Sequence, residues 1–179
     1  MSQGSPATAG SDAVIGDRWG VTDAEVLRRY PCDDWVRSPT LTAWRGVTVN
    51  AAQLQLWRWV TQVRLAPYSY DWIDNLGRRS PRNLVDLPEP TADDAFTKVA
   101  GRSQGRILSV SPPQQLTARI AGAVISYVLE SIDATHTRLL MKVVSDLPRP
   151  LAPLLSVGDL MMARRQLLNW KRLAETVKG

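Results

Sequence analysis

Residues Arg45–Gly77, RGVTVNAAQLQLWRWVTQVRLAPYSYDWIDNLG, decide how this chain folds. Thr42–Val49 reads as a strand with Val47 and Val49 on one face, and Gly46 interrupts the alternation where a bulge or bend is expected. Asn50 stands three residues before Gln53, a close variant of the capping box, which predicts an N-cap at Asn50 and a helix to about Val63. At helical spacing Leu56, Trp57, Trp59, Val60 and Val63 fall on one side, with Gln55, Arg58, Thr61 and Gln62 on the other. Ala66-Pro67 breaks that helix. The following Tyr68–Gly77, YSYDWIDNLG, reads as a second short helix or helical turn capped by Ser69 and stopped by Gly77.

Downstream, after an irregular connection over 78–94, the period changes from helical to two. Leu116, Ala118 and Ile120 alternate with Thr117 and Arg119; Ile125, Tyr127 and Leu129 alternate with Ser126 and Glu130; Leu139, Met141 and Val143 stand opposite Arg138 and Lys142. Turns are expected at Ser111–Pro113, Gly122 and Asp133–His136. Such strands predict an antiparallel meander with one buried and one wetter face. Pro148, Pro150 and Pro153 then end the last strand and prepare a helix to about Val177. Its apolar stripe is Leu160, Ala163, Leu167, Trp170, Ala174 and Val177, widened by Val157, Met161 and Leu168. This helix either starts at the Ser156-x-x-Asp159 box or bends at Gly158.

Upstream, Thr22 and Glu25 have capping-box spacing before a short helix through Val26 and Leu27 that Tyr30-Pro31 ends. Asp33, Asp34, Ser38 and Pro39 read as loop. The first 16 residues read as a disordered leader, too poor in apolar surface to offset the entropy of ordering, and 17–179 as a single domain. The fold class is therefore α+β: a curved antiparallel sheet wrapped on a long C-terminal helix, with two short helices after the first strand.

Composition narrows the function classes. The single cysteine, Cys32, excludes an internal disulfide, and with the single histidine, His136, it leaves no set of zinc ligands; no metal or cofactor is expected. The 22 Lys and Arg against 17 Asp and Glu give a net +5, gathered at Arg78, Arg79 and Arg82 and at Arg164, Arg165, Lys171 and Arg172. No nucleic-acid-binding motif accompanies them, so a solvated surface is the expectation. No stretch approaches a membrane span, and the start lacks the basic and apolar blocks of a signal peptide, so a cytoplasmic protein without stable membrane insertion is expected.

In order along the chain, RWGVTDAEV, RGVTVNAAQLQLWRWVTQVR, PYSYDWIDNLG, SYVLESIDATHTRLLMKV and MMARRQLLNWKRLAE resemble segments of the START/Bet v 1-like superfamily. Within that superfamily, also called SRPBCC, they resemble an uncharacterised actinobacterial-type branch near polyketide cyclase/dehydrase and lipid-transport proteins. Where that branch has a Pro-Pro pair and a Trp-Pro-Trp centre, this chain has Ala51-Ala52 and Trp57-Arg58-Trp59. It also carries Arg64-Leu-Ala-Pro67 in place of a glycine-rich loop. The resemblance implies a helix-grip fold with an apolar cavity between sheet and terminal helix. It transfers no catalytic residue.

Binding or transport of a hydrophobic small molecule, lipid- or polyketide-like, by a monomer or weak homodimer is thus the leading expectation. The residues expected to line the site are Tyr68, Tyr70, Trp72, Tyr127, Leu129, Met141, Met161 and Leu168. The alternative is a cyclase/dehydrase-type enzyme in the same cavity, with Asp71, Tyr70 or Tyr127 moving a proton. Asp71 and Asp74 can do acid–base work beside an aromatic wall or simply serve the helix dipole and solvent. Tyr127 reads equally as a cavity hydroxyl and as a core tyrosine. Arg164 and Lys171 can snorkel to water or meet an acidic ligand group, and Met141, Met161 and Met162 suit either gap-filling or an adaptable pocket. His136, in a hairpin turn, is expected to serve turn geometry.

Overall fold

Alternating apolar residues on successive short strands give a sheet with a continuous inner face, and the two longer helices gather on that face. The structure is a computed structural model that describes residues 17–69, 77, 79–146 and 152–176, with the backbone alone along 152–161. Seven strands are present among these residues: β1 (Arg18–Trp19), β2 (Leu41–Val49), β3 (Ala95–Val99), β4 (Arg102–Ser111), β5 (Gln115–Ile120), β6 (Ala123–Ser131) and β7 (Thr137–Ser145). The α-helices are α1 (Asp23–Leu27), α2 (Gln53–Val60) and α3 (Ala152–Thr176), and 3-10 turns occupy Pro31–Asp34 and Thr61–Arg64. The strand order is β1-β2-β7-β6-β5-β4-β3, antiparallel throughout except for the parallel β1–β2 pair.

The curved sheet is built largely by local pairing. Strands β3 to β7 form a meander, and two of its hairpins close on two-residue loops whose residues all have positive φ: Ala100 and Gly101, then Ala121 and Gly122. That geometry matches the right-handed twist of the flanking strands. Between Ile107 and Ser109 the β4–β5 register shifts by one residue. The extra residue, Leu108, joins the outer face, and Val110 instead of Ser109 returns to the inner core.

Chain connectivity places α2 across the inner face. From β2, beside the short edge strand β1, the chain passes through α2 and the Thr61–Arg64 turn to reach β3 at the opposite edge. Leu56, Trp57, Trp59, Val60 and Val63 are all at most 1% exposed and pack with Leu139, Met141, Val143, Leu167 and Trp170 in one inner core. Helix α3 crosses the same face, with Ala163, Leu167, Trp170 and Ala174 buried.

Several local expectations change. The β2–β7 register runs unbroken from Leu41↔Ser145 to Val49↔Thr137, so Gly46 makes no bulge. It is glycine because a Cβ there would lie 2.8 Å from the Gly20 carbonyl oxygen and 2.9 Å from Val21. The N-cap of α2 is Ala52, not Asn50. The Asn50 amide instead donates to Glu175 Oε1, and the Gln53 side chain donates to the Leu129 carbonyl oxygen. Thr61 and Gln62 are buried, not solvent-facing, because the helix tightens to 3-10 geometry after Val60 and turns both inward. α3 is already helical at Ala152 and continues through Gly158.

The outer face of the sheet is also covered. Tyr30 and Cys32 lie on Val124, Leu140 and Val144, flanked by Val21, Val36, Trp44, Leu108 and Val128. Lys142, expected on the wetter face, is 8% exposed. Its ammonium pairs with Asp33 at 2.6 Å and sits 5.3 and 5.2 Å from the Tyr30 and Trp44 ring centroids. The Thr22–Glu25 capping box forms as expected, and Glu25 also receives two donations from Arg138 of β7.

Candidate functional site

A cavity of about 150 Å³ lies between the sheet and α3, at the end where the chain leaves the Thr61–Arg64 turn. Its wall combines Val63, Pro67 and Ser69; Phe96, Thr97 and Val99 of β3; Ile120, Ile125, Tyr127 and Met141 of β5, β6 and β7; and Met162, Ala163 and Gln166 of α3. Pro67, Val99, Ile120 and Met162 are half-buried, so the cavity reaches the surface. No charged side chain lines it among the described residues.

Its polar groups are few and individually placed. Tyr127 is 1% exposed and its hydroxyl donates to Gln166 Oε1 at 2.8 Å. The Gln166 amide nitrogen donates in turn to the Pro67 carbonyl oxygen at 2.5 Å. This chain ties β6 to α3 and α3 to the loop after α2. The Tyr127 ring stands edge-on to Trp170 at 5.3 Å and near-parallel to Phe96 at 6.4 Å. Thr97 differs: it is 3% exposed, and its hydroxyl has no hydrogen-bond partner among the described residues. A buried hydroxyl without a partner is a local free-energy cost.

Residues expected to line a site are distributed unevenly. Tyr127 and Met141 line this cavity. Tyr68 is buried beside it, with φ +59°, its hydroxyl accepting from Gln62 Nε2 at 2.9 Å and its ring 6.2 Å from Trp170. Leu129 is buried at the other end of β6, where it borders a separate groove, and Leu168 is half-buried away from the cavity wall. Tyr70, Asp71, Trp72 and Asp74 lie outside the described residues, as does the Met161 side chain.

Three wall residues carry no signal that their sequence pattern made obvious: Phe96, Thr97 and Gln166. The first two sit on an edge strand of five residues, AFTKV, short enough to merge with the irregular connection before it. Gln166 was findable, since a glutamine three residues after Ala163 and four before Trp170 interrupts the apolar stripe of α3.

The remaining polar clusters hold the fold together. Asp133 caps the β6–β7 turn, accepting from the Thr135 and His136 amides and the His136 ring, and its carboxyl is lowered to about 2, chiefly by the Thr135 amide. His136 is accordingly a half-buried turn residue. Arg164 stacks its guanidinium 4.8 Å from the Trp19 ring centroid, and Lys171 donates to the Thr48 carbonyl oxygen and Glu175. Burial pushes the Cys32 thiol up to about 11. A second, larger groove of about 490 Å³ lies among Arg28, Arg29, Gln53, Gln114, Leu129 and Glu130, but its arginines are already paired with Glu130 and Asp34.

No family model matches the chain, and no curated protein matches it. Solved structures do. A protein from Rhodobacter sphaeroides aligns at 17% identity over 76% of this chain and 93% of its own, with a TM-score of 0.53. Protein MLL2253 from Mesorhizobium loti aligns at 16% identity over 77% of this chain and 99% of its own, with a TM-score of 0.50. At such identity the likeness concerns the fold alone: an α+β chain with a curved seven-stranded sheet and a C-terminal helix.

Proposed function

We propose that this protein binds a hydrophobic small molecule in the cavity between its sheet and α3, using a helix-grip arrangement of the START/Bet v 1-like kind. The observation that carries the reading is the cavity itself: an apolar wall contributed by both sheet and helix, broken by a few buried polar groups and reaching the surface. Binding sites for small apolar molecules have this composition, with burial supplying affinity and isolated polar groups supplying orientation. Most of the wall comes from strands and a helix that also pack in the inner core, which favours a site formed before a ligand arrives. The domain spanning 17–179 acts in this reading as a carrier or sequestering protein.

Native mass spectrometry and organic extraction of the purified protein test the reading, together with ligand-observed NMR against a panel of uncharged apolar compounds. Saturable uptake is expected, and Ala163→Leu, which adds bulk to the cavity wall, should abolish it while leaving the far-UV circular dichroism unchanged. Absence of uptake across the panel, or uptake that Ala163→Leu leaves intact, would remove the cavity as the site.

A further inference from the structure

We infer that the end of the sheet carrying the β3–β4 and β5–β6 hairpin tips docks on an anionic membrane surface and sets the cavity mouth against the bilayer. The inference rests on the proposed function only for the purpose of the contact, the loading of the cavity; the docking itself stands apart from it. In an antiparallel meander alternate hairpins share an end, so these two tips lie together and the turn between β4 and β5 lies at the other. Their sequences repeat. Lys98-Val99-Ala100-Gly101 and Arg119-Ile120-Ala121-Gly122 are each a cation, a β-branched residue and an Ala-Gly loop. Val99 and Ile120 are also two of the half-buried wall residues where the cavity reaches the surface, so the tips frame its mouth.

The charge at this end is one-sided. Lys98, Arg102 and Arg119 are exposed, and their side chains make no hydrogen bond or ion pair with any described residue. Arg102 stands directly opposite Val99 in the β3–β4 register. Arg106, also exposed, is directly opposite Arg119 and has one ion pair, with Asp93. Like charges in facing positions repel, and an external anion relieves that repulsion. No Asp or Glu occurs from Ala95 to Leu129. Beside the tips the described carboxylate is Asp146, next to Ser145, whose hydroxyl donates to the Gly122 carbonyl oxygen. One carboxylate against three unpaired cations leaves the end positive.

The loops decide among anionic partners. Nucleic acids are held by hydrogen-bonding side chains, and single strands by aromatic stacking as well; neither Ala-Gly loop offers either. Small apolar tips ringed by cations suit a bilayer interface, where the apolar groups leave water while Lys and Arg meet anionic head groups. Among the described residues no helix is long and apolar enough to cross a membrane, so the contact is peripheral. Each cation near such a surface is worth about five-fold in partitioning, which makes the attachment reversible and sensitive to salt.

Co-sedimentation with vesicles of phosphatidylcholine, alone or mixed with phosphatidylserine, tests the docking. The wild-type protein should bind the mixed vesicles only, and high salt should release it. Lys98→Glu and Arg119→Glu should each weaken binding by more than about five-fold. Arg172→Glu makes the same change of charge beside Lys171, which bonds Thr48 towards the other end of β2, and should cost much less. Equal losses in all three variants would mean that binding follows net charge alone, and equal binding to both vesicle types, or to neither, would also overturn the docking. So would capture of duplex DNA or polyglutamate in preference to the mixed vesicles. The comparison of vesicles on the wild-type protein decides the matter even where a variant does not fold. Ala163→Leu should leave vesicle binding unchanged. Ligand uptake without vesicle binding sinks the docking and spares the proposed function, whereas vesicle binding without uptake does the reverse.

Discussion

Gln62 shows how one polar side chain can hold an irregular segment in place. Its amide oxygen accepts from the Val85 amide at 2.6 Å, and its nitrogen donates to the Tyr68 hydroxyl and to the Asn83 carbonyl oxygen at 2.9 and 3.4 Å. Residues 79–94 contain no helix or strand, so their order depends on such bonds, with Trp57 Nε1 to Glu89 as a further anchor. Gln62→Leu keeps the volume and removes both functions, stranding buried polar groups. It should cost about 1–3 kcal/mol, measured by urea denaturation; a change within a few tenths would mean that solvent replaces these bonds. Cys32 makes a second residue-scale case. It is fully buried and its thiol is raised to about 11 by desolvation. At pH 7 it should resist a water-soluble disulfide reagent in the folded protein and react promptly in denaturant, since the thiolate is the nucleophile.

At the scale of elements, the segment over 17–36 behaves as a strap on the outer face. Its links to β7 are Glu25–Arg138 and Asp33–Lys142. Glu25 is lowered from its ordinary 4.5 to about 2, chiefly by the Arg138 hydrogen bond, which outweighs the opposing effect of burial and is helped by the Thr22 amide. A lowered folded-state value means that the stabilisation is fully present above 4.5 and is lost as pH falls towards 2. Thermal melts between pH 7 and pH 2 should show a steeper acid-side loss for the wild type than for Glu25→Gln, with the two converging near pH 2. Parallel curves would disconnect Glu25 from acid stability. Where the strap crosses β2, Gly46 leaves room for Gly20 and Val21. Gly46→Ala should therefore cost about 1–3 kcal/mol through overpacking, and a neutral result would show that the crossing is loose. For α2, Trp59 is fully buried in the inner core, and Trp59→Ala should cost about 3–5 kcal/mol in the same urea experiment.

At the scale of the whole molecule, periodicity explains what was readable in the chain. The α2 face, strands β5 to β7 and the stripe of α3 have regular apolar spacing because each packs on one continuous core, so their residues announce themselves. The strap does not. Tyr30, Cys32 and Lys142 belong to a cluster joined by tertiary contact across more than a hundred residues, and no local pattern records a strap laid over an otherwise regular sheet. The cavity was half-legible for a similar reason: Tyr127 and Met141 alternate on strands, whereas Gln166 matters through the bonds it completes in three dimensions.

The two faces of the sheet differ enough in size to predict how the molecule opens. The inner cluster contains twenty-four buried apolar residues and the outer one five, among the described residues. Detaching the strap exposes less apolar surface and breaks three ion pairs to the sheet, Arg28–Glu130, Glu25–Arg138 and Asp33–Lys142; opening the inner face exposes the tryptophans of α2 and α3. Local openings with less buried surface have lower free energy than global unfolding. Cys32 labelling at pH 7 should consequently begin at lower urea concentration than the loss of native tryptophan fluorescence. Glu25→Gln, which weakens the strap alone, should widen the interval by moving labelling and leaving the fluorescence midpoint nearly in place. Coincident labelling and fluorescence transitions in both proteins would show instead that the strap is part of the same cooperative unit as the inner core.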